Sequence, residues 1–537
     1  MLEYTFDSLG RKYSTVYSKI TLNNAPYTAT FSYKDSTVGA NATTPLVNAI
    51  TYPDHSYGYT YKANGDIEAV TYIYGTTAYT SFYHYDDLRR LVREDNGYSY
   101  RTYTYEYDAS GNILNRKEYS YTAPETAVGT PTSTYTYTYG DSTWKDLLTS
   151  YNGESMVYDA VGNPTTYRGK AFTWDNNIRK PVTMQTDGGS LEFAYDAAGA
   201  RREKAATFIG ADVSHFYHYD GGILLYEVIS TQTPLDETPT VEIIEYIYDE
   251  TGSPVGMIYD GTEYYFVKNL QGDVQRIYKA DGTLVGEYHY DAWGNILNES
   301  SLTEIEQLNP FRYRSYYYDS ETGLYYLNSR YYDPETGRFI SADSIVPGVS
   351  SSVNGYNLFA YCFNNPVNMI DEDGNWPSWV YKAIVVVTVA TAIVAATAIT
   401  VATFGAGSVA GAAMITATLT IAARATEVTV LQVKKGVQEG DESSQIVKDS
   451  IESLYDNGDK IIGVVPVTKT AGVAATHTIN SAIDQAFGGT TTLDSTLRLP
   501  GGKLGYAFAA LAWGMALDSM LSDDPITKAI ERGYSLK

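Results

Sequence analysis

A seven-residue unit, aromatic-x-aromatic-Asp-x-x-Gly, recurs between residues 4 and 294 and restricts this part of the chain to one kind of architecture. It appears as Tyr4-Thr-Phe-Asp7-Ser-Leu-Gly10, Tyr105-Glu-Tyr-Asp108-Ala-Ser-Gly111 and Phe193-Ala-Tyr-Asp196-Ala-Ala-Gly199. It returns as Tyr246-Ile-Tyr-Asp249-Glu-Thr-Gly252 and Tyr288-His-Tyr-Asp291-Ala-Trp-Gly294, with a shorter copy at Tyr158-Asp159-Ala-Val-Gly162. Degenerate copies sit at Tyr83-His-Tyr-Asp86, Phe172-Thr-Trp-Asp175 and Tyr217-His-Tyr-Asp220. Alternating aromatics put every second ring on one face of a strand. Asp opens a turn by bonding its own backbone two residues on, and Gly takes the positive φ such turns need. Runs such as Asn112-Ile-Leu-Asn and Asn295-Ile-Leu-Asn read as the return strand. One such hairpin cannot bury its aromatic face alone, so the units must stack into a quasi-one-dimensional antiparallel sheet.

Composition marks where the tyrosine-rich part of the chain stops. Tyrosine supplies 53 of the 537 residues, yet only Tyr381, Tyr455, Tyr506 and Tyr534 lie beyond position 380. A domain boundary is therefore expected near residue 376. The loops Thr122 to Thr134 and Thr231 to Thr240, poor in aromatics, read as exposed excursions. Packing is the expected role of the aromatic ladder, and turn formation that of the repeat aspartates, whose spacing lacks the dense Asp/Gly alternation of calcium-binding repeats. His215 and His218 fall on opposite faces of a strand, which argues against a metal site there. No metal or cofactor is expected. A net charge of −25 argues against a nucleic-acid surface spread over the whole chain. The single cysteine, Cys362, excludes an internal disulfide.

The stretch from Asn309 to Trp376 departs from the repeat. It reads Asn309-Pro-Phe-Arg-Tyr-Arg-Ser-Tyr-Tyr-Tyr-Asp319, then Glu321-Thr-Gly-Leu-Tyr-Tyr-Leu-Asn-Ser-Arg-Tyr-Tyr-Asp-Pro-Glu-Thr-Gly-Arg-Phe-Ile-Ser-Ala-Asp343. It closes with Tyr356-Asn-Leu-Phe-Ala-Tyr-Cys-Phe-Asn-Asn-Pro-Val-Asn-Met-Ile-Asp371-Glu-Asp-Gly-Asn-Trp376. This segment resembles the core-associated segment of Rhs/YD-repeat proteins, a family that includes the C components of Tc toxins and bacterial polymorphic toxins. The resemblance implies that the preceding sheet spirals into a shell. It also implies that acidic residues matching Asp343 and Asp371 act as an aspartyl-protease-like pair, cutting the chain just after an Asp-Pro-x-Gly-Leu sequence. By motif position the scissile bond is Asn375–Trp376. Glu372 stands where the pattern has Pro, and Asn375 where it has Leu. The chemistry is sound: two close carboxyls cannot both ionise easily, so one keeps a proton while the other activates water. Arg338 is the nearest cation in sequence and the candidate for orienting a carboxylate. The alternative role for Asp343 and Asp371 is as turn or cap residues.

Beyond the core, Ala383 to Ala423 carries no charge and is bracketed by Lys382 and Arg424. Residues 383–404 are long enough to cross a bilayer as a helix, and Gly407 and Gly411 have the spacing of close helix packing. The run reads either as a membrane-inserting element or as an apolar linker. Asp441 to Tyr455 and Leu504 to Leu521 read as helices. The tail's single histidine, His477, its lack of cysteine and its nearly balanced charge show no recognisable enzyme site and no nucleic-acid patch. His477 with Asp484 could form an acid/base pair, although a lone histidine between threonines is more often structural.

The expected fold is mostly β. A spiralling antiparallel YD-repeat β-shell spans 1–308 and a core plug 309–375. An apolar linker or membrane-inserting segment follows at 376–424, and a small α-helical C-terminal region at 425–537. The expected function is an Rhs-type polymorphic toxin or delivery protein whose shell encloses a C-terminal effector. The rival is a cell-surface YD-repeat adhesion protein with the tail as its anchor. A third reading is an enzyme-type toxin with an unrecognised site. Expected partners are an N-terminal shell protein or upstream repeats, an immunity protein, and a membrane through 383–423. Secretion or cell-surface association is expected, although no basic-then-apolar leader opens the chain.

Overall fold

The computed structural model describes residues 2–35, 43–197, 199–236, 238–343 and 357–375. Each aromatic-rich run forms a strand paired antiparallel with the next in sequence. Thirteen such strands, β1 (Leu2–Phe6) to β13 (Glu154–Ser155), make one meander, and thirteen more, β14 (Val157–Tyr158) to β26 (Leu284–Glu287), make a second. The expected single ladder is thus interrupted once, at Met156, where the flanking strands are only two residues long. The backbone still connects across the break: the Met156 N–H donates to the Thr149 carbonyl at 2.9 Å and the Gly169 N–H to the Ser155 carbonyl at 3.1 Å.

The repeat's turn chemistry is as its residues dictate. In the copies at Asp7, Asp108, Asp159, Asp249 and Asp291 the carboxylate accepts backbone N–H groups two and four residues on, as Asp108 does from Ser110 and Asn112 at 2.9 and 2.8 Å. Gly111 closes the turn at φ +82. The degenerate copy at Asp86 puts Arg89 in that left-handed position, at φ +63, and the Arg89 guanidinium is held by the buried Asp66.

Each turn ends in a β-bulge, and the bulges explain the tyrosines. Tyr85 pairs with Leu91 where the ladder between β7 (Thr77–Tyr85) and β8 (Leu91–Asn96) slips by one residue. Such a slip takes a carbonyl out of the ladder, and a buried carbonyl needs a donor. The hydroxyl of Tyr107, one hairpin later, donates to the Leu91 carbonyl at 2.6 Å. Tyr107 is itself opposite the next slip residue, Ile113, whose carbonyl takes Tyr139 at 2.9 Å. The same relay runs from Tyr61 on Val47 at 2.6 Å and Tyr85 on Ile67 at 2.8 Å to Tyr248 on Leu224 and Tyr290 on Val274. Where Pro164 is the slip residue, the Trp174 indole N–H donates instead, at 2.5 Å. The rings pack, and their hydroxyls lace each hairpin to the one before.

The wall meets its own beginning. The Tyr4 hydroxyl donates to Asp249 at 3.0 Å, the Thr21 N–H to the Ala280 carbonyl at 2.9 Å and the Tyr52 hydroxyl to the Lys268 carbonyl at 2.8 Å. Arg276, fully buried, pairs with Asp54 at 3.0 Å across this seam and with Glu287 at 3.0 Å on the neighbouring strand. A short helix, α1 (Glu304–Leu308), then leads out of the array. It opens with a capping box in which the Glu306 carboxylate accepts the Thr303 N–H at 2.6 Å.

The core segment forms a four-stranded meander, β27 (Tyr317–Asp319), β28 (Leu324–Leu327), β29 (Arg330–Asp333) and β30 (Arg338–Phe339). Its charged residues are satisfied by the wall. Asp319 takes Arg201 at 2.6 Å and Lys204 at 2.9 Å, all three buried. Arg314 pairs with Asp273, and Tyr167 donates to Asp333 at 2.8 Å. The expectations for 376–424 and 425–537 lie outside the described residues. Among the described residues no helix is long and apolar enough to cross a membrane.

Two substitutions test the wall. Tyr107→Phe leaves the Leu91 carbonyl without its donor, at an expected cost of about 1–3 kcal/mol, read as a lower urea midpoint with an unchanged slope. Arg276→Met acts on the seam. Burial would raise the Glu287 carboxyl, but His289 and Arg276 outweigh it and hold it at about 2. A depressed carboxyl adds stability above its unfolded value, lost as pH falls from there toward about 2. Wild-type stability is therefore expected to fall over that acid range. Arg276→Met is expected to flatten the acid decline and to remove about 3 kcal/mol at neutral pH, measured by denaturant titration at stepped pH.

Candidate active site

Asp343 and Asp371 both come to rest under one arginine, Arg330. Its Nη2 lies 2.9 Å from Asp343 Oδ2 and 3.7 Å from Asp371 Oδ2. The same guanidinium donates to the backbone carbonyls of Leu358 at 2.9 Å, of Asn375 at 3.0 Å and of Gly374. It stacks on the Phe339 ring, 3.5 Å from the centroid. The Asn375 carbonyl is the acyl side of the expected scissile bond, so one cation touches both carboxylates and the carbonyl oxygen they would act on. Trp376 lies outside the described residues.

Local structure explains each placement. Arg330 opens β29, and the β29–β30 hairpin pairs Asp333 with Arg338 beside its turn and Tyr331 with Ile340 further along. The open end of that hairpin therefore brings Arg330 toward the residues that follow Ile340, and so to Asp343, while Arg338 stays at the turn. Arg338 accordingly serves the wall: its nitrogens donate to Asn112 Oδ1 at 3.2 Å, the Tyr139 hydroxyl at 3.0 Å and the Asp146 carbonyl at 2.7 Å. The orienting position expected for Arg338 is held by Arg330, because strand register, not nearness in sequence, decides which cation reaches Asp343.

The backbone of Asp343 is fixed by its N–H bond to the Leu358 carbonyl at 2.9 Å. Arg179 grips the Ala342 carbonyl at 3.1 Å, and the Ala342 N–H reaches the Gly162 carbonyl of a wall turn at 3.0 Å. On the other side, the Asp371 N–H donates to the Tyr316 hydroxyl at 3.1 Å. Asp371 Oδ1 accepts the Gly374 N–H at 3.0 Å, and Asp373 Oδ1 the Asn375 N–H at 3.1 Å. Asn375 is tied by its amide to Ser329 Oγ at 2.8 Å. Gly374 stands at φ +79, and a Cβ there would lie 2.6 Å from the Leu327 carbonyl. Only glycine allows the chain to lie this close to the β28–β29 turn. That turn is held from the wall by Lys180, which donates to the carbonyls of Asn328 and Ser329 and whose ammonium is pushed down by burial to about 7.

Asp371 is about 1% exposed and Asp343 about 4% by side chain. Burial pushes the Asp371 carboxyl well up, and the neighbouring Asp373 and Asp343 carboxyls add to that against the opposing Arg330. The site thus holds one carboxyl that resists ionisation beside one in direct ion-pair contact. Neither Arg330 nor Asp373 was singled out by spacing alone. The readable signal for Arg330 is its place at the head of a strand whose hairpin partner leads to Asp343. No group of three His, Cys, Asp or Glu side chains arranged to hold a metal occurs among the described residues. His215 contacts Glu227 at 3.4 Å, whereas His218 stacks on Tyr226.

The teneurin YD-shell family model matches residues 51–367, more than half of the chain. The chain belongs to the teneurin YD-shell family. The tRNA nuclease WapA of Bacillus subtilis (strain 168) is 34% identical over 238 residues, which are 44% of this chain and 10% of that protein. The toxin subunit YenC1 of Yersinia entomophaga is 23% identical over 309 residues, 53% of this chain and 30% of that one. The YD-shell chain thus spans about a tenth of the length of the curated relatives it first matches. In fold it is similar to the crystal structure of TcdB2-TccC3-Cdc42, with a TM-score of 0.55 and 18% identity over 71% of this chain and 19% of that chain.

Cys362 packs beside this site and is about 1% exposed, its thiol raised well above the usual range first by burial and then by Asp371. A thiol reagent is expected to leave Cys362 unmodified in the native protein at neutral pH and to modify it fully after denaturation, as read by intact mass.

Proposed function

We propose that this YD-shell chain is part of an Rhs-type polymorphic toxin or delivery protein, and that its plug cuts the Asn375–Trp376 bond to free residues 376–537 as the effector. The observation that carries this reading is the convergence of Asp343, Asp371 and Arg330 on the Asn375 carbonyl. Its support from relatives is that a tRNA nuclease and a toxin subunit align with 44% and 53% of this chain. An N-terminal shell partner, an immunity protein and delivery outside the producing cell follow from the same reading.

In the proposed hydrolysis, Asp343 is the ionised partner because it forms the close ion pair. It takes a proton from a water molecule whose oxygen adds to the Asn375 carbonyl carbon. Arg330 polarises the carbonyl, and Asp371, kept protonated by its dry surroundings, gives its proton to the developing oxyanion. The gem-diol hydroxyl returns that proton to Asp371 as the carbonyl re-forms and the C–N bond breaks in the same step, while Asp343 passes the proton it took to the Trp376 amine. Peptide plus water gives one carboxyl terminus and one free amine.

Mass spectrometry of the full chain tests this. The wild type is expected to yield a fragment beginning at Trp376. Asp343→Asn and Asp371→Asn are expected to slow its appearance by about 100-fold or more. Arg330→Met is expected to do the same, whereas Arg338→Met is expected to keep the cut and to lower the stability of the fold. A wild-type chain that stays intact after folding would rule out self-cleavage.

A further inference from the structure

The site holds a third carboxyl that a two-acid mechanism does not use. Asp373 follows Asp371 by two residues, and the tight Asp371–Gly374 turn folds its carboxyl back toward that of Asp371, within hydrogen-bonding reach. One Asp373 oxygen is committed to the Asn375 N–H at 3.1 Å. The other, Oδ2, is buried and has no hydrogen-bond partner, although the Asn375 side-chain amide lies near enough to Asp373 to favour its ionised form. A buried carboxylate oxygen without a donor is costly. A proton shared with the facing carboxyl removes that cost. The backbone of Asp373 is fixed as well, its carbonyl accepting the Ser329 N–H at 3.0 Å.

The other groups facing Asp371 do not supply this proton. Arg330 approaches from β29 and favours the ionised form, and Asp343 approaches from the segment after β30. The Tyr316 hydroxyl receives the Asp371 N–H, not its carboxyl. Cys362, with Tyr361 and Arg314 behind it, is a buried thiol raised by the same environment. Glu372 is exposed.

We propose that Asp373 is a positioning residue for the self-cleavage inferred above: it shares a proton with Asp371 and so holds Asp371 in its acid form. This rests on the Asp343–Asp371 reading and adds a role that neither acid can fill. The arrangement is specific in its chemistry. It needs a carboxylate at position 373, since an amide there would offer a donor to Asp371 and favour its ionised form. Burial alone already raises Asp371, and the shared proton extends that rise.

The test is the pH profile of self-cleavage in the full chain, diluted from denaturant into buffers across the range and followed as the Trp376 fragment by mass spectrometry. The rate is expected to fall on the alkaline side as Asp371 loses its proton. Asp373→Asn is expected to move that alkaline limb down by about one pH unit or more, with the acid-side rate kept. Asp373→Glu is expected to restore much of it. An unmoved limb in Asp373→Asn, with Asp371→Asn inactive, overturns the role of Asp373 and leaves self-cleavage standing. If the wild type does not cut, infrared difference titration reads the same proton directly. A protonated-carboxyl C=O band that is absent in Asp371→Asn and titrates at lower pH in Asp373→Asn supports proton sharing. Titration at the same pH in the wild type and Asp373→Asn overturns it.

Discussion

The hydrogen bond from a tyrosine hydroxyl to the carbonyl stranded by the preceding bulge is the interaction on which this architecture depends. A meander of hairpins has no intrinsic reason to hold its register over twenty-six strands, because each ladder is set only by its own turn. The relay from Val47 through Tyr61, Ile67, Tyr85, Leu91, Tyr107, Ile113 and Tyr139 couples each turn to the one before it. A slip at one hairpin would leave two polar groups unpaired in an aromatic interior, and the low dielectric there makes that expensive. Tyrosine suits the task because a single side chain fills the layer and reaches across it. Phenylalanine would only fill the layer. Tryptophan can take over, as Trp174 does, when its indole N–H falls within reach.

Much of the wall was legible in the sequence. Period-two aromatics and the Asp-x-x-Gly turn give the strand type and the hairpin connectivity. What the pattern concealed is the second use of each tyrosine, since alternation reports which face a ring takes and nothing about where its hydroxyl points. The interruption at Met156 was equally hidden, because Tyr158-Asp159 still carries the repeat signature while the strands beside it shrink to two residues. At the site, Asp343 and Asp371 were legible through a resemblance in motif, and the structure gathers them. Arg330 was not, because a cation thirteen residues from Asp343 in sequence is brought beside it by hairpin register, whereas Arg338, only five away, is drawn off to Asn112 and Asp146. The turn that folds the Asp373 carboxyl back toward Asp371 could only come from coordinates.

The site also shows how a carboxyl cluster survives in a dry interior. Arg330 stands among five acceptors, two of them carboxylates, and a cation so engaged cannot neutralise every charge around it. Burial raises the Asp371 and Asp373 carboxyls accordingly. Acid–base capacity therefore arises here from the arithmetic of buried charge as much as from the identity of any one residue.

The seam that joins Tyr4 to Asp249 and Asp54 to Arg276 has a consequence for the order of events during synthesis. Contacts this distant in sequence are slow to form, and ribosomes deliver the early hairpins long before their seam partners exist. The Ala342–Asp343 backbone leans on Gly162 and Arg179, which belong to the middle of the wall. The Asp343–Asp371 site therefore cannot assemble on a half-built wall. Any chemistry proposed for it would be withheld until the hairpins beneath it are in place, a quality inspection written into the chain's own geometry.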